Sequence, residues 1–493
     1  MRRFLSVGAS SSLYDITIVG GGVAGSLLAC LLSSSPRLAS LSVALVEPSP
    51  PPKISAVLSN LKTDPRTYAL SPSAVGTLRS VGAWDVISDS GRTAPYHSMH
   101  VWDSLGPGCL SFGGPGGEEL GHLIEHSVLS SALWSRMESH AASGRLTLLT
   151  GSGGVKSLRM PLPHGDSQWP GVGTQAPQHS PQSSPHAQLT LANDQYLSSR
   201  LVVAADGGGS PTRVAAGVGC TSFDYGQTAV VCVVEPGEGV DEGARGTAWQ
   251  RFLPMGPVAV LPLSGRKASI VWSTTPSHAK ALAAMDGPSF LASLNRVLHA
   301  TEEEFVLTAA AAGRGGVPSS AVRNFTASVA GFVSRLAPTS ASHRKPPTPT
   351  SLISPILSFP LKLQLAHATS APRCALLGDA AHVIHPLAGQ GLNMGVRDCK
   401  ALAAALERGV ALGEDCGSAG VLRDYQASVA LGNNAMAAGV HGIAGLFRGV
   451  GEGGWESCLW GPGGAFPTLR TLGLAAVAAT PLVREAFSLA ARS

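Results

Sequence analysis

Apolar and polar positions along the chain change period in a recurring way. Asp15-Ile-Thr-Ile-Val19 alternates and runs into Gly20-Gly-Gly22-Val-Ala-Gly25, followed by the apolar run Ser26-Leu-Leu-Ala-Cys-Leu-Leu32. This pattern predicts strand, glycine turn and helix. A second apolar strand, Leu41 to Val46, ends in Glu47. Two further apolar runs end in acidic glycine turns: Arg200-Leu-Val-Val-Ala-Ala closes on Asp206-Gly207, with Ser210 and Arg213 beyond, and Arg373-Cys-Ala-Leu-Leu closes on Gly378-Asp379. After Gly389-Gln-Gly391-Leu392-Asn393, residues Leu392, Val396, Cys399, Leu402 and Leu406 recur at helical spacing and predict a helix with one buried face. Trp249 to Leu253, Val258 to Leu263 and Ala268 to Trp272 alternate as strands of a sheet. The pattern is that of an α/β protein.

The first of these units carries a phosphate-binding chemistry. Gly20 suits a tight turn, Gly22 a close approach of the backbone to a ligand, and Gly25 the packing of helix on strand. The helix start offers unpaired N–H groups and a positive dipole end to a pyrophosphate. Glu47, about 20 residues on, suits ribose hydroxyls and disfavours a 2′-phosphate, so FAD or NAD is expected over NADP. The letters alone do not suffice: Gly449-Val-Gly451-Glu-Gly-Gly454 has the same spacing, but follows a helix-like run and reads as a loop.

The glycine turn, the Asp206-Gly207 turn and the Gly378-Asp379 turn together resemble the three fingerprints of the single-component flavin-dependent aromatic hydroxylases. Longer stretches narrow the likeness: DPRTYALSPSAVGTLRSVGAWD (64–85), YGQTAVVCVVE (225–235), TAWQRFLPMGPVAVLPLSGRKASIVWS (247–273) and GDAAHVIHPLAGQGLNMG (378–395) look like the ubiquinone-biosynthesis hydroxylases. FPLKL (359–363) and NNAM (433–436), placed before and after the Gly-Asp turn, look like the eukaryotic mitochondrial type. The resemblance implies a glutathione-reductase-type, Rossmann-like FAD domain, an interleaved mixed-sheet substrate domain and C-terminal helices. It implies FAD contacts at Gly20, Gly22, Gly25, Glu47, Arg66, Asp206, Gly207, Gly378, Asp379, Gly391, Leu392 and Asn393, with Asp379 on the ribitol and the Gly391 helix start against the isoalloxazine. That helix end would stabilise an anionic reduced flavin.

The implied activity is monooxygenation, at ring position five, of a polyprenyl-hydroxybenzoate, with O₂ as co-substrate and a ferredoxin-type or NAD(P)H electron donor. The implied setting is a biosynthetic complex at the matrix side of the mitochondrial inner membrane. Two positions depart from the family pattern: His126 follows Glu125 where asparagine is usual, and Val429 and Ala430 stand where a basic residue commonly follows Tyr425. Arg251 is a candidate partner for a benzoate carboxylate. His382 and His385 read as turn residues rather than metal ligands, and no general base is assigned.

Composition bounds this picture. Of 493 residues, 44% are hydrophobic and 13% charged; the net charge is +4 with no basic block, so nucleic acid is not an expected partner. Eight scattered cysteines without a C-x-x-C pair suggest neither zinc nor a disulfide framework. Residues 1–13, with Arg2 and Arg3 and no acid, read either as an organelle-targeting segment, mitochondrial or plastid, or as a short tail. Residues 161–187 and 337–350 read as Pro/Ser-rich mobile insertions. The expected layout is an FAD domain from 14–90, 118–222 and 366–450, a substrate domain from 91–117 and 223–365, and a helical region at 451–493. Within the last, 469–487 is apolar and suited to lipid or a partner, or to packing back on the domain. A flavin epoxidase acting on an isoprenoid, and an FAD-binding scaffold without activity, are the rival readings.

Overall fold

The computed structural model describes residues 12–60, 62–104, 109–113, 117–161, 184–237, 246–300, 345–386 and 389–446. Its first layer is a parallel sheet with the strand Ser12–Val19 in the middle. Tyr196–Ala204 lies on one side of it, then Cys374–Leu376; Val43–Glu47 and Thr147–Thr150 lie on the other. These strands are buried on both faces, which is why VALV (43–46), LVVA (201–204) and CAL (374–376) are continuous apolar runs rather than alternating ones. An antiparallel hairpin, Val155–Arg159 and Ala187–Leu191, extends the edge of Tyr196–Ala204. Helices Val23–Ser34, His126–Ala142 and Gly391–Ala411 cover the sheet. Leu27, Leu28, Leu129, Leu133, Val396, Cys399, Leu402 and Leu406 form one core with Ile16 and Ile18.

The second layer is a nine-stranded sheet in which Leu357–Ala366, Cys220–Pro236, Lys267–Thr274, Val258–Leu263 and Thr247–Phe252 run antiparallel in that order, followed by the parallel neighbour Ser98–Asp103. One face packs Val230, Cys232, Trp249, Ile270 and Trp272 against Leu282, Phe290 and Leu294 of helices Pro276–Ala283 and Gly287–His299. The other face looks toward the ends of the parallel strands. A small sheet of Thr67–Leu70, Gly121–Glu125 and Thr93–Tyr96 joins the layers.

Several expected boundaries shift. Ser12 and Leu13 already pair in the parallel sheet, so the N-terminal segment set apart by the sequence is shorter than thirteen residues. Cys220–Pro236 is one long strand, bulged between Asp224 and Gln227, that pairs on both sides of the expected divide at 222. The divides at 90 and 117 fall within the small sheet, whose hydrogen bonds bind the segments together. Of the two expected insertions, 162–183 and 337–344 lie outside the described residues, while Ala187 is buried in a strand and Pro349–Leu352 pairs with Cys220–Pro236. The segment 1–11, the second glycine-rich motif at 449–454 and the region 451–493 also lie outside the described residues.

Candidate active site

Where the parallel strands end, the three turns meet. Gly20 adopts φ +105°, and a Cβ there would stand 2.4 Å from the Ala205 carbonyl oxygen of the neighbouring strand end. At Gly25 a Cβ would stand 2.0 Å from the Gly20 carbonyl oxygen, so helix and turn pack only without a side chain. Gly22 differs. It sits in extended conformation at the start of helix Val23–Ser34, and a Cβ there would meet nothing within 4 Å. Its bare backbone opens on the cleft, as a phosphate cradle requires. Glu47 accepts the Gly21 N–H (2.7 Å) and the Ser49 N–H (2.8 Å), and a Cβ on Gly21 would stand 2.8 Å from Glu47 Cγ. Sequence spacing flagged Glu47 but not Gly21, whose role shows only in three dimensions.

The second turn is held by its own side chains. Asp206 accepts from the Ser210 hydroxyl and from the Thr212 N–H (3.0 Å), capping the short helix Pro211–Ala215. Its carboxylate therefore shapes the loop, and it is Gly207, at φ +85°, that faces the cleft. Buried Arg213 donates to the Ala380 carbonyl (2.8 Å) and the Gly208 carbonyl (3.2 Å), stapling the Asp-Gly turn to the Gly-Asp turn. In that third turn Gly378 adopts φ +53° and packs against Ala24 and Gly395. The Gly378 N–H donates to Asp398 (2.9 Å), a fully buried carboxylate that also lies 2.7 Å from His382 Nε2 and accepts from Asn433 (2.9 Å). Asp379 projects into the cleft with no hydrogen-bond partner among the described residues. Desolvation raises its pKa, with His382 and Lys362 opposing.

Helix Gly391–Ala411 starts at the cleft, where Gly391, Leu392 and Gly395 line it. Leu392 lines the cleft and at the same time packs, half-buried, against the core that Val396, Cys399, Leu402 and Leu406 enter fully. Asn393 points the other way: it donates to the Ala69 carbonyl (2.9 Å) and accepts the Ser71 N–H (3.0 Å), tying the helix start to strand Thr67–Leu70. Arg66 lines the cleft in a two-point ion pair with Asp64 (3.0 and 3.1 Å). His126 also lines it, 3.2 Å from the Tyr68 hydroxyl, and burial and then Arg66 lower its pKa. Glu125 is buried and bonded to Arg92 (2.8 Å) and the Asp64 N–H (2.8 Å). Val429, at the second departure, is buried in the main core.

Gly22, Arg66, Gly207, Gly378, Asp379, Gly391 and Leu392 thus share one cleft of about 620 Å³, roofed by the second sheet. Gly20, Gly25, Asp206 and Asn393 shape the turns around it, and Glu47, half-buried at its strand end, holds the Gly21 N–H. An FAD molecule fits this arrangement: a side-chain-free helix start for phosphate, an unpartnered carboxylate for hydroxyls, and a helix end beside a flat apolar space. Arg251 corrects an expectation. It lies on the far face of its strand, donating to the Val297 (2.9 Å) and Ala300 (2.7 Å) carbonyls at the end of helix Gly287–His299, so it does not reach a substrate. Strand alternation sends Gln250 into the cleft in its place. His382 and His385 are each buried, the latter 3.2 Å from Gln227 Oε1 with its pKa lowered to about 4 by burial. Among the described residues no group of three or more potential ligands could hold a metal ion.

Comparison with known proteins agrees with this geometry. Residues 332–428 match the FAD binding domain family. The ubiquinone biosynthesis monooxygenase COQ6, mitochondrial, of Xenopus tropicalis is 34% identical over 84% of this chain and 82% of that protein. The human protein of that name is 34% identical over 88% of this chain and 86% of its own. Among solved structures, PqsL of Pseudomonas aeruginosa in complex with 2-aminobenzoylacetate superposes with a TM-score of 0.59 at 20% identity, covering 89% of this chain and 97% of its own. The p-nitrophenol 4-monooxygenase PnpA of Pseudomonas putida DLL-E4 does so at 0.60 and 15% identity, covering 97% and 98%. At these identities the two structures speak for the fold alone.

Proposed function

This chain belongs to the family of the ubiquinone biosynthesis monooxygenase COQ6, and from that premise we propose that it hydroxylates, at position five, the aromatic ring of a polyprenyl-hydroxybenzoate in ubiquinone biosynthesis. It is an FAD-dependent monooxygenase. The observation that carries the reading is the convergence of Gly22, Gly207, Asp379 and the Gly391 helix start on one cleft roofed by a largely apolar sheet face. Bound FAD supplies the activation of O₂ and the transfer of one oxygen atom to an electron-rich ring. The chain supplies the rest. Gly22 and the helix behind it would receive the pyrophosphate, and Asp379 would accept a ribitol hydroxyl. Leu261, Val271 and Leu361 would exclude water from the reacting face.

A polyprenyl tail gains about 0.8 kcal/mol for each CH₂ kept out of water, so the substrate stays in lipid or an apolar passage. That favours a peripheral enzyme at the matrix face of the mitochondrial inner membrane, working with other proteins of the pathway and reduced by a ferredoxin-type or NAD(P)H donor. No helix among the described residues is long and apolar enough to cross a membrane. The test is complementation of strains each lacking one ubiquinone ring hydroxylase, with the accumulated intermediates identified by mass. Rescue of the position-five step alone is expected; rescue of a different step would overturn the assignment.

A further inference from the structure

The second sheet carries another cavity, on the face turned away from the flavin cleft. Gln250, Ala259 and Leu261 line the flavin cleft, so their strand neighbours Trp249, Val260 and Pro262 face the opposite way. Those three line a separate pocket of about 380 Å³, a volume in the range of small-molecule sites. Helices Pro276–Ala283 and Gly287–His299 pack on the same sheet face, yet among the described residues neither lends the pocket a side chain. Exposure gives the pocket a direction. Trp249, Val260 and Ala268 are almost fully buried and mark its inner end, while Arg266 and His97 are exposed and mark its mouth.

The two ends differ in chemistry. The ionisable side chains among the described lining residues are His97, Arg266 and Lys267, all basic and with no acid between them. Arg266 stands at φ +57° in the hairpin turn between Val258–Leu263 and Lys267–Thr274. Lys267, half-buried, donates to the Thr63 hydroxyl (2.8 Å), a neutral partner that leaves its charge uncompensated. At the inner end Trp249 is 1% exposed, and edge contacts with His100 and Trp102 hold its ring. Its indole N–H has no hydrogen-bond partner among the described residues. A buried donor without a partner is costly, and an acceptor on a ligand relieves it. Val260, Pro262 and Leu263 make the wall between the ends apolar.

We propose that this pocket binds a small amphipathic acid, with its carboxylate at Arg266 and Lys267 and a hydrogen-bond acceptor at its far end on the Trp249 indole. A guanidinium offers paired N–H groups to both oxygens of a carboxylate. An indole N–H only donates, so the far end of the ligand has to accept. An uncharged ligand would leave the basic mouth to water, and an acid with a wholly apolar tail would leave the indole unmatched. The site is separate from the flavin cleft and does not depend on the hydroxylase reading.

The test titrates three probes of similar size into the FAD-loaded protein at pH 7 by calorimetry: 4-acetylbenzoate, 4-isopropylbenzoate and 4-methylacetophenone. 4-Acetylbenzoate should bind about tenfold more tightly than 4-methylacetophenone, which lacks the charge. It should bind about fivefold more tightly than 4-isopropylbenzoate, which lacks the acceptor. The flavin absorbance should not change, since the cofactor lies on the other side of the sheet. Arg266→Gly, which suits the positive φ, should erase the preference for charge and keep the preference for the acceptor. Trp249→Phe should do the reverse in a protein that still shows the bound-flavin spectrum. Equal binding of 4-acetylbenzoate and 4-methylacetophenone by the wild-type protein overturns the proposal, and so does a preference for charge that survives Arg266→Gly. Equal binding of the two acids overturns the role of Trp249. A shifted flavin spectrum would put the acid in the flavin cleft and overturn the site itself.

Discussion

Burial beside the Gly-Asp turn raises the pKa of Asp379, with His382 and Lys362 pulling the other way, and no protein donor among the described residues reaches its carboxylate. A carboxyl whose folded pKa lies above its unfolded value favours folding at low pH. That contribution is full below the unfolded pKa of about 3.9 and is lost as pH rises through the folded one. At neutral pH the apoprotein therefore holds an ionised carboxylate that no described protein donor reaches, left to water at the mouth of the cleft. Asp379→Asn should raise the melting temperature of the apoprotein at pH 7, and the gain should shrink as pH falls through the carboxylate range. The same change removes a charge-assisted hydrogen bond to a ribitol hydroxyl, about 1.5–3 kcal/mol, so FAD should bind about 10- to 100-fold more weakly. Thermal melts across pH and a fluorescence titration with FAD check both halves. A variant that binds FAD like the parent would show that Asp379 does not touch the cofactor.

Helix Gly391–Ala411 was legible from its apolar spacing, and so was its start at the glycines; its polar anchors were not. Asp398 reads as an ordinary helix acid, because its partners Gly378, His382 and Asn433 lie 20, 16 and 35 residues away. Arg251 and Gln250 show the same limit in a strand: alternation says that neighbours face opposite ways, not which face meets the cofactor. Within the turn, His382 is buried, which opposes its charge; the charge of Asp398, the hydrogen bond to it, and Asp379 beyond outweigh this, and the pKa ends raised. The stabilisation from this pair is thus fully present below the unfolded histidine value of about 6.5 and is lost as pH rises through the folded value. Removing one partner of a buried pair costs about 3–5 kcal/mol. Asp398→Asn should lower the urea midpoint by a corresponding amount near pH 6 and by less near pH 9. A pH-independent deficit would mean that Asp398 acts only as an acceptor for Gly378 and Asn433.

At the scale of the molecule, residues far apart in the chain close one cleft, and the motifs announced the floor but not the roof. The floor is written in glycines and acids that few other structures need. The roof is written in ordinary strand residues, whose assignment needs the pairing of Thr247–Phe252, Val258–Leu263 and Lys267–Thr274 in space. What holds the floor's halves in register without a cofactor is Arg213, buried behind the cleft with its guanidinium on the Gly208 and Ala380 carbonyls. It does not line the cleft, so its effect on FAD would come through preorganisation of the two turns. Arg213→Gln loses the double staple, and FAD must then order both turns as it binds, weakening its affinity about tenfold. Binding linkage makes this measurable against each protein's own apo form, which cancels any loss of stability common to both states. At an FAD concentration about a hundred times the wild-type Kd, the ligand should stabilise the wild-type protein by about 2.7 kcal/mol and the variant by about 1.4 kcal/mol. Equal increments in the two proteins would mean that the turns hold their places without Arg213, and that the parallel strands Tyr196–Ala204 and Cys374–Leu376 alone set the spacing of the flavin site.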